Sequence, residues 1–221
     1  MTGHADPLDE LARLQIIPVV EVENADDAVP LARALCDAGL PVIELTLRTP
    51  AALEAIERVA GECPDVLVGA GTLLDGRMVA AASAAGARFG VSPGLSHGCL
   101  EAARERALPF VPGVVTPSDA MTALDAGLRH LKFFPAEAYG GITTLKALAG
   151  PLSSTGVRFM PTGGVTAANA GAYLALASVF AVGGTWIAPR SDISAGRWDD
   201  IAQRALAATE LVRSLTLEAT T

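Results

Sequence analysis

Two lysines occur in this chain of 221 residues, Lys132 and Lys146, and the first sits where lysine is rarely found. It lies inside His130-Leu131-Lys132-Phe133-Phe134-Pro135, an apolar run that reads as a buried strand. Desolvation disfavours an ammonium ion and frees an amine to attack a carbonyl carbon, which is the setting for Schiff-base chemistry. The competing reading is a lysine at a strand end whose head reaches water. A second cluster lies in Val42-Ile43-Glu44-Leu45-Thr46-Leu47-Arg48-Thr49. Side chains alternate faces along a strand, so Glu44, Thr46 and Arg48 share one face while Ile43, Leu45 and Leu47 share the other. The same parity groups His130, Lys132 and Phe134. A lysine, a carboxylate and an arginine facing one space suit an enamine reaction on a 2-oxo acid. The amine attacks the ketone, the carboxylate moves protons, and the arginine grips the substrate carboxylate through two parallel hydrogen bonds. A structural Glu44–Arg48 ion pair is the alternative. Thr72 offers either a hydroxyl to the same carboxylate or an ordinary turn or helix cap.

Those residues need a scaffold that gathers strand ends. Short β-branched runs alternate with alanine-rich stretches along the whole chain. The predicted strands are Ile16–Val22, Val42–Leu47, Val66–Ala70, Arg88–Ser92, Phe110–Pro112, His130–Phe134, Arg158–Pro161 and Val179–Val182. The predicted helices are Ala25–Ala38, Ala51–Gly61, Gly76–Ala85, Gly98–Arg106, Pro117–Ala126, Thr143–Ala149, Thr166–Leu176 and Trp198–Leu215. Eight such units predict a single α/β domain over residues 1–221, a parallel eight-stranded (β/α)8 TIM barrel. An open doubly wound sheet is the alternative, but no GxGxxG follows the first strand. In a barrel the outer face of each strand meets helices and must be apolar, so Glu44, Thr46, Arg48 and Lys132 point inward. Function then collects in the loops after the strands. The loops after the seventh and eighth strands carry Thr162-Gly163-Gly164 and Gly183-Gly184-Thr185. Paired glycines let backbone N–H groups approach an oxyanion, and this is where many barrels hold phosphate, although either pair alone also makes a plain tight turn. The polar ends, Met1–Glu10 and Thr216–Thr221, read as frayed.

Composition narrows the function classes. The chain is 51% hydrophobic with a mean hydropathy of +0.40, enough for a sizeable core. Gly, Pro and charged residues interrupt every apolar run before it could span a bilayer, so no membrane is expected. The acidic start shows no basic apolar leader, and a cytoplasmic location is expected. A net charge of −8 and a pI near 4.8 argue against nucleic acid as a partner. Three cysteines, Cys36, Cys63 and Cys99, read as free buried thiols. Neither they nor His4, His97 and His130 have metal-ligand spacing, so no metal is expected.

Taken together, six segments resemble one known family. They are Glu44-Leu45-Thr46-Leu47-Arg48-Thr49, Val68-Gly69-Ala70-Gly71-Thr72, Ser92-Pro93-Gly94, Lys132-Phe133-Phe134-Pro135-Ala136-Glu137, Pro161-Thr162-Gly163-Gly164 and Gly183-Gly184-Thr185-Trp186. The family is that of the 2-keto-3-deoxy-6-phosphogluconate (KDPG) and 4-hydroxy-2-oxoglutarate (KHG) aldolases, and the resemblance runs from about Ile16 to Val212. It implies a homotrimer of barrels and a class I aldolase working without metal or cofactor. Its small-molecule partners would be a 2-oxo acid, pyruvate, and a phosphorylated aldehyde, glyceraldehyde 3-phosphate. By motif position the resemblance makes Lys132 the Schiff-base nucleophile and Glu44 the general acid/base. Arg48 and Thr72 would hold the pyruvate carboxylate, and Pro93 and Phe134 would line the pocket. Thr162, Gly163, Gly164, Gly184 and Thr185 would face the phosphate. Two departures stand out. Relatives with an arginine near the end of the first strand use it on phosphate, whereas Val19-Val20-Glu21-Val22-Glu23 has none. Thr185 stands where serine is usual and keeps the hydroxyl. Other readings remain open: a 2-dehydro-3-deoxy-6-phosphogalactonate aldolase, a phosphosugar epimerase or isomerase, and a catalytically silent binding module.

Overall fold

The structure is a computed structural model, and it describes residues 6–218. Its strands are β1 (Ile16–Val20), β2 (Val42–Thr46), β3 (Leu67–Gly71), β4 (Phe89–Val91), β5 (Phe110–Val111), β6 (Gly113–Val114), β7 (His130–Phe133), β8 (Arg158–Pro161) and β9 (Val182–Gly184). The helices are α1 (Pro7–Leu14), α2 (Ala28–Asp37), α3 (Ala52–Glu62), α4 (Gly76–Ala84), α5 (His97–Glu105), α6 (Pro117–Asp125), α7 (Gly141–Ala149), α8 (Ala170–Leu174), α9 (Arg190–Ser194) and α10 (Trp198–Glu218). Every strand pairing is parallel. Strands that pair in parallel with helices between them are buried on both faces. That is why β1, β2 and β3 are buried at every position.

The sheet differs from the expected unbroken eight-stranded ring. Six strands form one curled parallel sheet in the order β5-β4-β3-β2-β1-β9, and three form another, β6-β7-β8. The predicted fifth strand is split into β5 and β6 at Pro112, which has no N–H to offer a ladder. Its carbonyl still accepts from Lys132 N at 2.8 Å. On the far side, isolated bridges join Phe159 to Val179 and Thr162 to Gly183. The last strand is also displaced from its expected place, from Val179–Val182 to Val182–Gly184, because Ile17 and Pro18 of β1 pair with the two glycines.

The ends of the chain differ too. Residues 7–14 form α1 rather than a frayed tail: Asp6 accepts from Leu8 N at 2.9 Å, Pro7 takes the first helical position, and Leu11 and Leu14 are buried. The helical stretch expected to fray from Thr216 continues within α10 to Glu218, while Met1–Ala5 and the last three residues lie outside the described part. One apolar cluster fills the space inside and around the strands, with Phe89, Phe133, Phe159, Phe180 and Tyr173 among its largest members. Among the described residues no helix is long and apolar enough to cross a membrane.

Candidate active site

The alternation of β7 decides where Lys132 goes. Leu131 and Phe133 are fully buried in the apolar cluster, and Lys132 projects the other way with only 5% exposure. Its Nζ lies 3.5 Å from Oε1 of Glu44, which is fully buried on β2. Two residues 88 positions apart in sequence thus face each other as a desolvated ion pair. Neither charge is tolerable there without the other, because an unpaired buried ion costs several kcal/mol, roughly 3–5 when one partner is removed. Gly71, paired with Thr46 across β2 and β3, makes the room: a Cβ at Gly71 would stand 2.2 Å from Glu44 Oε1. Among the described residues, Glu44 Oε2 has no hydrogen-bond partner, so one lone-pair-bearing oxygen of the carboxylate is uncommitted. The Phe134 ring stands beside the amine, 5.2 Å from Nζ to the ring centre.

Around this pair the polar face of β2 behaves differently from its sequence reading. Thr46 is buried and its hydroxyl donates to Val20 O at 2.9 Å, which ties β2 to β1. Arg48 is not a buried charge. The strand ends at Thr46, the chain turns, and the Arg48 side chain is 51% exposed at the mouth. Its Nε donates to Thr72 Oγ1 at 3.1 Å, and Nη1 lies 3.9 Å from Glu21. Thr72 is no helix cap, since Asp75 caps α4 by accepting from Met78 N at 2.8 Å. Thr72 instead adopts φ +58°, a left-handed conformation that β-branched residues avoid. The strain is compatible with a residue held in place to present its hydroxyl.

The glycine loops close the other side. Ala136 N donates to Thr162 O at 2.8 Å and Glu137 N to Gly163 O at 3.0 Å, so the segment after β7 is zipped to the segment after β8. Gly163 and Gly164 have φ of +93° and +81°, and a Cβ on Gly164 would stand 2.6 Å from Glu137 Cβ. Only glycine meets both demands. Thr162, buried, is bridged to Gly183 and thus joins the two glycine pairs.

These elements enclose a cavity of about 250 Å3 with Lys132 and Glu44 in its wall. It brings together Glu44, Arg48, Thr72, Lys132, Phe134, Thr162, Gly163, Gly164, Gly184 and Thr185. Pro93 is not in its lining; it is half-buried, and its carbonyl lies against Gly113. Val19, Thr46 and Val165 line the cavity without having been given a role in advance; alternation along β2 had turned Thr46 inward, whereas Val19 and Val165 were signalled only by lying near or beyond strand ends. Glu137, the last residue of the Lys132–Glu137 segment, is engaged away from the amine. Its carboxylate accepts from the Tyr173 hydroxyl, and burial together with that carboxylate pushes the phenol well above its ordinary range. Among the described residues no cluster of three or more His, Cys, Asp or Glu is placed to hold a metal ion. The three thiols are free, with Cys63 and Cys99 buried and Cys36 only partly so; burial raises all three above the usual thiol range.

Kinship agrees with this geometry. The family model for KDPG and KHG aldolases matches residues 8–204. The chain belongs to this family. It is 47% identical over 195 residues to the KHG/KDPG aldolase of Escherichia coli K12, covering 88% of this chain and 91% of that one. It is also 47% identical over 186 residues to a 2-dehydro-3-deoxy-phosphogluconate aldolase of Dickeya dadantii, covering 84% and 86%. Among solved structures, the KDPG aldolase of Legionella pneumophila, captured with pyruvate as a covalent carbinolamine, superposes with a TM-score of 0.88. That protein is 41% identical, and the match covers 92% of this chain and 98% of the other. KDPG and KHG aldolases are carbon–carbon lyases, so the Lys132 cavity is the candidate site of an aldol cleavage.

Proposed function

We propose that this protein is a class I aldolase that cleaves 2-dehydro-3-deoxy-6-phosphogluconate to pyruvate and glyceraldehyde 3-phosphate, and 4-hydroxy-2-oxoglutarate to pyruvate and glyoxylate. The observation that carries the reading is the buried Lys132–Glu44 pair, 3.5 Å apart in the wall of a cavity rimmed by Arg48, Thr72 and the glycine loops. Lys132 Nζ, once its proton is passed on, adds to the C2 ketone and gives a carbinolamine. Loss of water leaves a protonated imine. A base takes the C4 hydroxyl proton, the C3–C4 bond breaks, and its electron pair flows into the imine to form an enamine while the aldehyde departs. Protonation at C3 and addition of water release pyruvate and restore the amine. Glu44 carries these protons, since it is the carboxylate in contact with Nζ and its Oε2 is uncommitted.

The remaining assignments follow the same reading. Arg48 and Thr72, already hydrogen-bonded to each other, hold the C1 carboxylate. Phe134 flanks the reacting carbons, and Thr162, Gly163, Gly164, Gly184 and Thr185 surround the phosphate. Pro93, expected to line the pocket, packs its carbonyl against Gly113 outside this lining and is given no role in the reading. The chain is taken to be a single domain over residues 1–221. Its two sheets, bridged at Thr162–Gly183 and spliced at Pro112, are read as one closed (β/α)8 barrel that works in the cytoplasm as a homotrimer. The test is pyruvate release from the two aldols and from 2-dehydro-3-deoxy-6-phosphogalactonate, followed with a coupled dehydrogenase. Release from the gluconate aldol at the highest kcat/KM is the expected result. No release from any of the three would overturn the reading, and preference for the galactonate aldol would reassign the substrate.

A further inference from the structure

The first strand lacks the arginine that some relatives direct at phosphate and ends in acids instead, yet the structure puts a cation beside them from the other end of the chain. Arg190, at the start of α9, places Nη1 2.7 Å from Glu21 Oε1, and its Nη2 contacts Glu23. Glu21 Oε2 lies 3.9 Å from Arg48 Nη1, so one carboxylate spans two arginines. These groups line a second cavity of about 340 Å3 that contains Glu21, Arg48, Thr185 and Arg190. It shares Val19, Thr46, Arg48 and Thr185 with the Lys132 cavity, so the two are compartments of one cleft. A linear substrate fixed at C2 by Lys132 and running past Thr185 reaches this compartment with its distal end.

We propose that Arg190 is the side-chain cation for the distal anionic group of the aldol, and that Glu21 holds that place until the substrate takes it. The inference rests on the aldolase reading above and names a specificity-determining residue for it. The Glu21 carboxylate sits on Arg190 at 2.7 Å, where an oxyanion of the distal group would sit, while Arg48, 3.9 Å from the other Glu21 oxygen, is left to the C1 carboxylate. Arg190 is 57% exposed and Glu21 is 23% exposed, so their pair is held weakly and can exchange for another oxyanion at small cost. A guanidinium suits the exchange because its planar fork binds phosphate and carboxylate in the same bidentate way. Glu21 then has a second effect: wherever it stays near a bound phosphate it repels it, which lowers affinity relative to a neutral residue at that position.

The test uses the whole enzyme in the condensation direction, with pyruvate and either glyceraldehyde 3-phosphate or unphosphorylated glyceraldehyde as acceptor. Arg190→Gln is expected to lower kcat/KM for the phosphorylated acceptor about tenfold more than for the unphosphorylated one, the scale of one charge-assisted contact. Arg190→Lys, which keeps the charge and loses the fork, should fall between. Glu21→Gln is expected to lower KM for the phosphorylated acceptor about threefold, and added salt should narrow the Arg190→Gln difference. Equal losses on both acceptors in Arg190→Gln, or an unchanged or raised KM in Glu21→Gln, would overturn the proposal. Borohydride reduction of the wild-type protein with pyruvate separates the two levels. No lysine adduct would remove the aldolase reading itself, whereas an adduct with equal losses would remove only Arg190.

Discussion

Two regions of the cleft hold their charges in opposite ways. In the interior, Glu44 and Lys132 are buried in the cavity wall, each facing one counter-charge, on β2 of the six-stranded sheet and β7 of the three-stranded one. At the rim, Glu21, Glu23, Arg48 and Arg190 form a partly exposed chain of contacts in which Glu21, Arg48 and Arg190 each have two partners and Glu23 has Arg190. A buried pair of this kind adds little stability against a well-packed apolar pair, and breaking it costs roughly 3–5 kcal/mol. Exposed pairs are worth about 0–1 kcal/mol. The interior is therefore suited to chemistry that needs fixed geometry, and the rim to recognition that needs exchangeable partners. The wall between them is built by close backbone approach: Gly71 against Glu44, and Gly163 and Gly164 against the Pro135–Glu137 segment.

Substitutions can break this contrast, and the interior should respond most. Glu44→Gln removes the counter-charge of Lys132 and should lower the melting temperature, the fold surviving because the amine can give up its proton, and it should lower turnover by about 10²–10⁴-fold, the usual worth of a placed proton carrier. Gly71→Ala reaches the same carboxylate from outside and should lower turnover without changing any ionisable group; steady-state kinetics with a thermal melt on both variants checks this. If a folded Glu44→Gln protein turned over normally, the proton carrier would lie elsewhere. Next in size, Gly163→Val must take φ +93° with its Cβ 3.2 Å from Pro135. It should reduce kcat/KM at least about tenfold for the phosphorylated aldol and clearly less for 4-hydroxy-2-oxoglutarate, with backbone N–H approach lost. Equal loss on both substrates would mean distortion of the whole wall.

At the rim, Arg48→Lys should raise KM for pyruvate by about threefold to tenfold while kcat changes less, since one cation remains but the fork does not. An unmoved KM would make Arg48 a partner of Thr72 and Glu21 only. The smallest effect lies away from the cleft. His130 is half-buried against Phe180, ring centres 4.8 Å apart, and burial, aided by Arg158, pulls its pKa below the ordinary value of 6.5. The unfolded chain therefore binds the extra proton first. Stability should be complete above about pH 6.5 and decline as pH falls through 6.5 toward the lower folded value. His130→Phe should flatten that slope in urea melts taken between pH 7 and pH 5, and an unchanged slope would assign it to another group.

Much of this was legible in the sequence, and the misses have physical causes. Parity along β2 and β7 placed Glu44 and Lys132 on inward faces because a strand's side chains must alternate, whatever surrounds it. The same parity misjudged the depth of Arg48. Alternation says which face a residue takes but not where the strand stops, and β2 ends two residues earlier. The displacement of the last strand has a similar origin. Val179 looks like strand and Gly183-Gly184 do not, but pairing with β1 overrides local preference. Helix α1 carried a usable signal, Asp6 followed by Pro7, that a polar composition obscured. Pro112 parts the two sheets because it has no N–H for the ladder, while its carbonyl still keeps a hydrogen bond from Lys132 N. Arg190 had no local signal at all: its meaning comes only from Glu21, 169 residues away in sequence.

The most direct test is reductive trapping. Wild-type protein incubated with pyruvate and borohydride, then digested and mapped by mass spectrometry, should carry one reduced three-carbon adduct on Lys132 and none on Lys146. The adduct should be lost in Lys132→Met and still form, more slowly, in Glu44→Gln. An adduct on Lys146 alone, or none on a folded and active enzyme, would contradict the account.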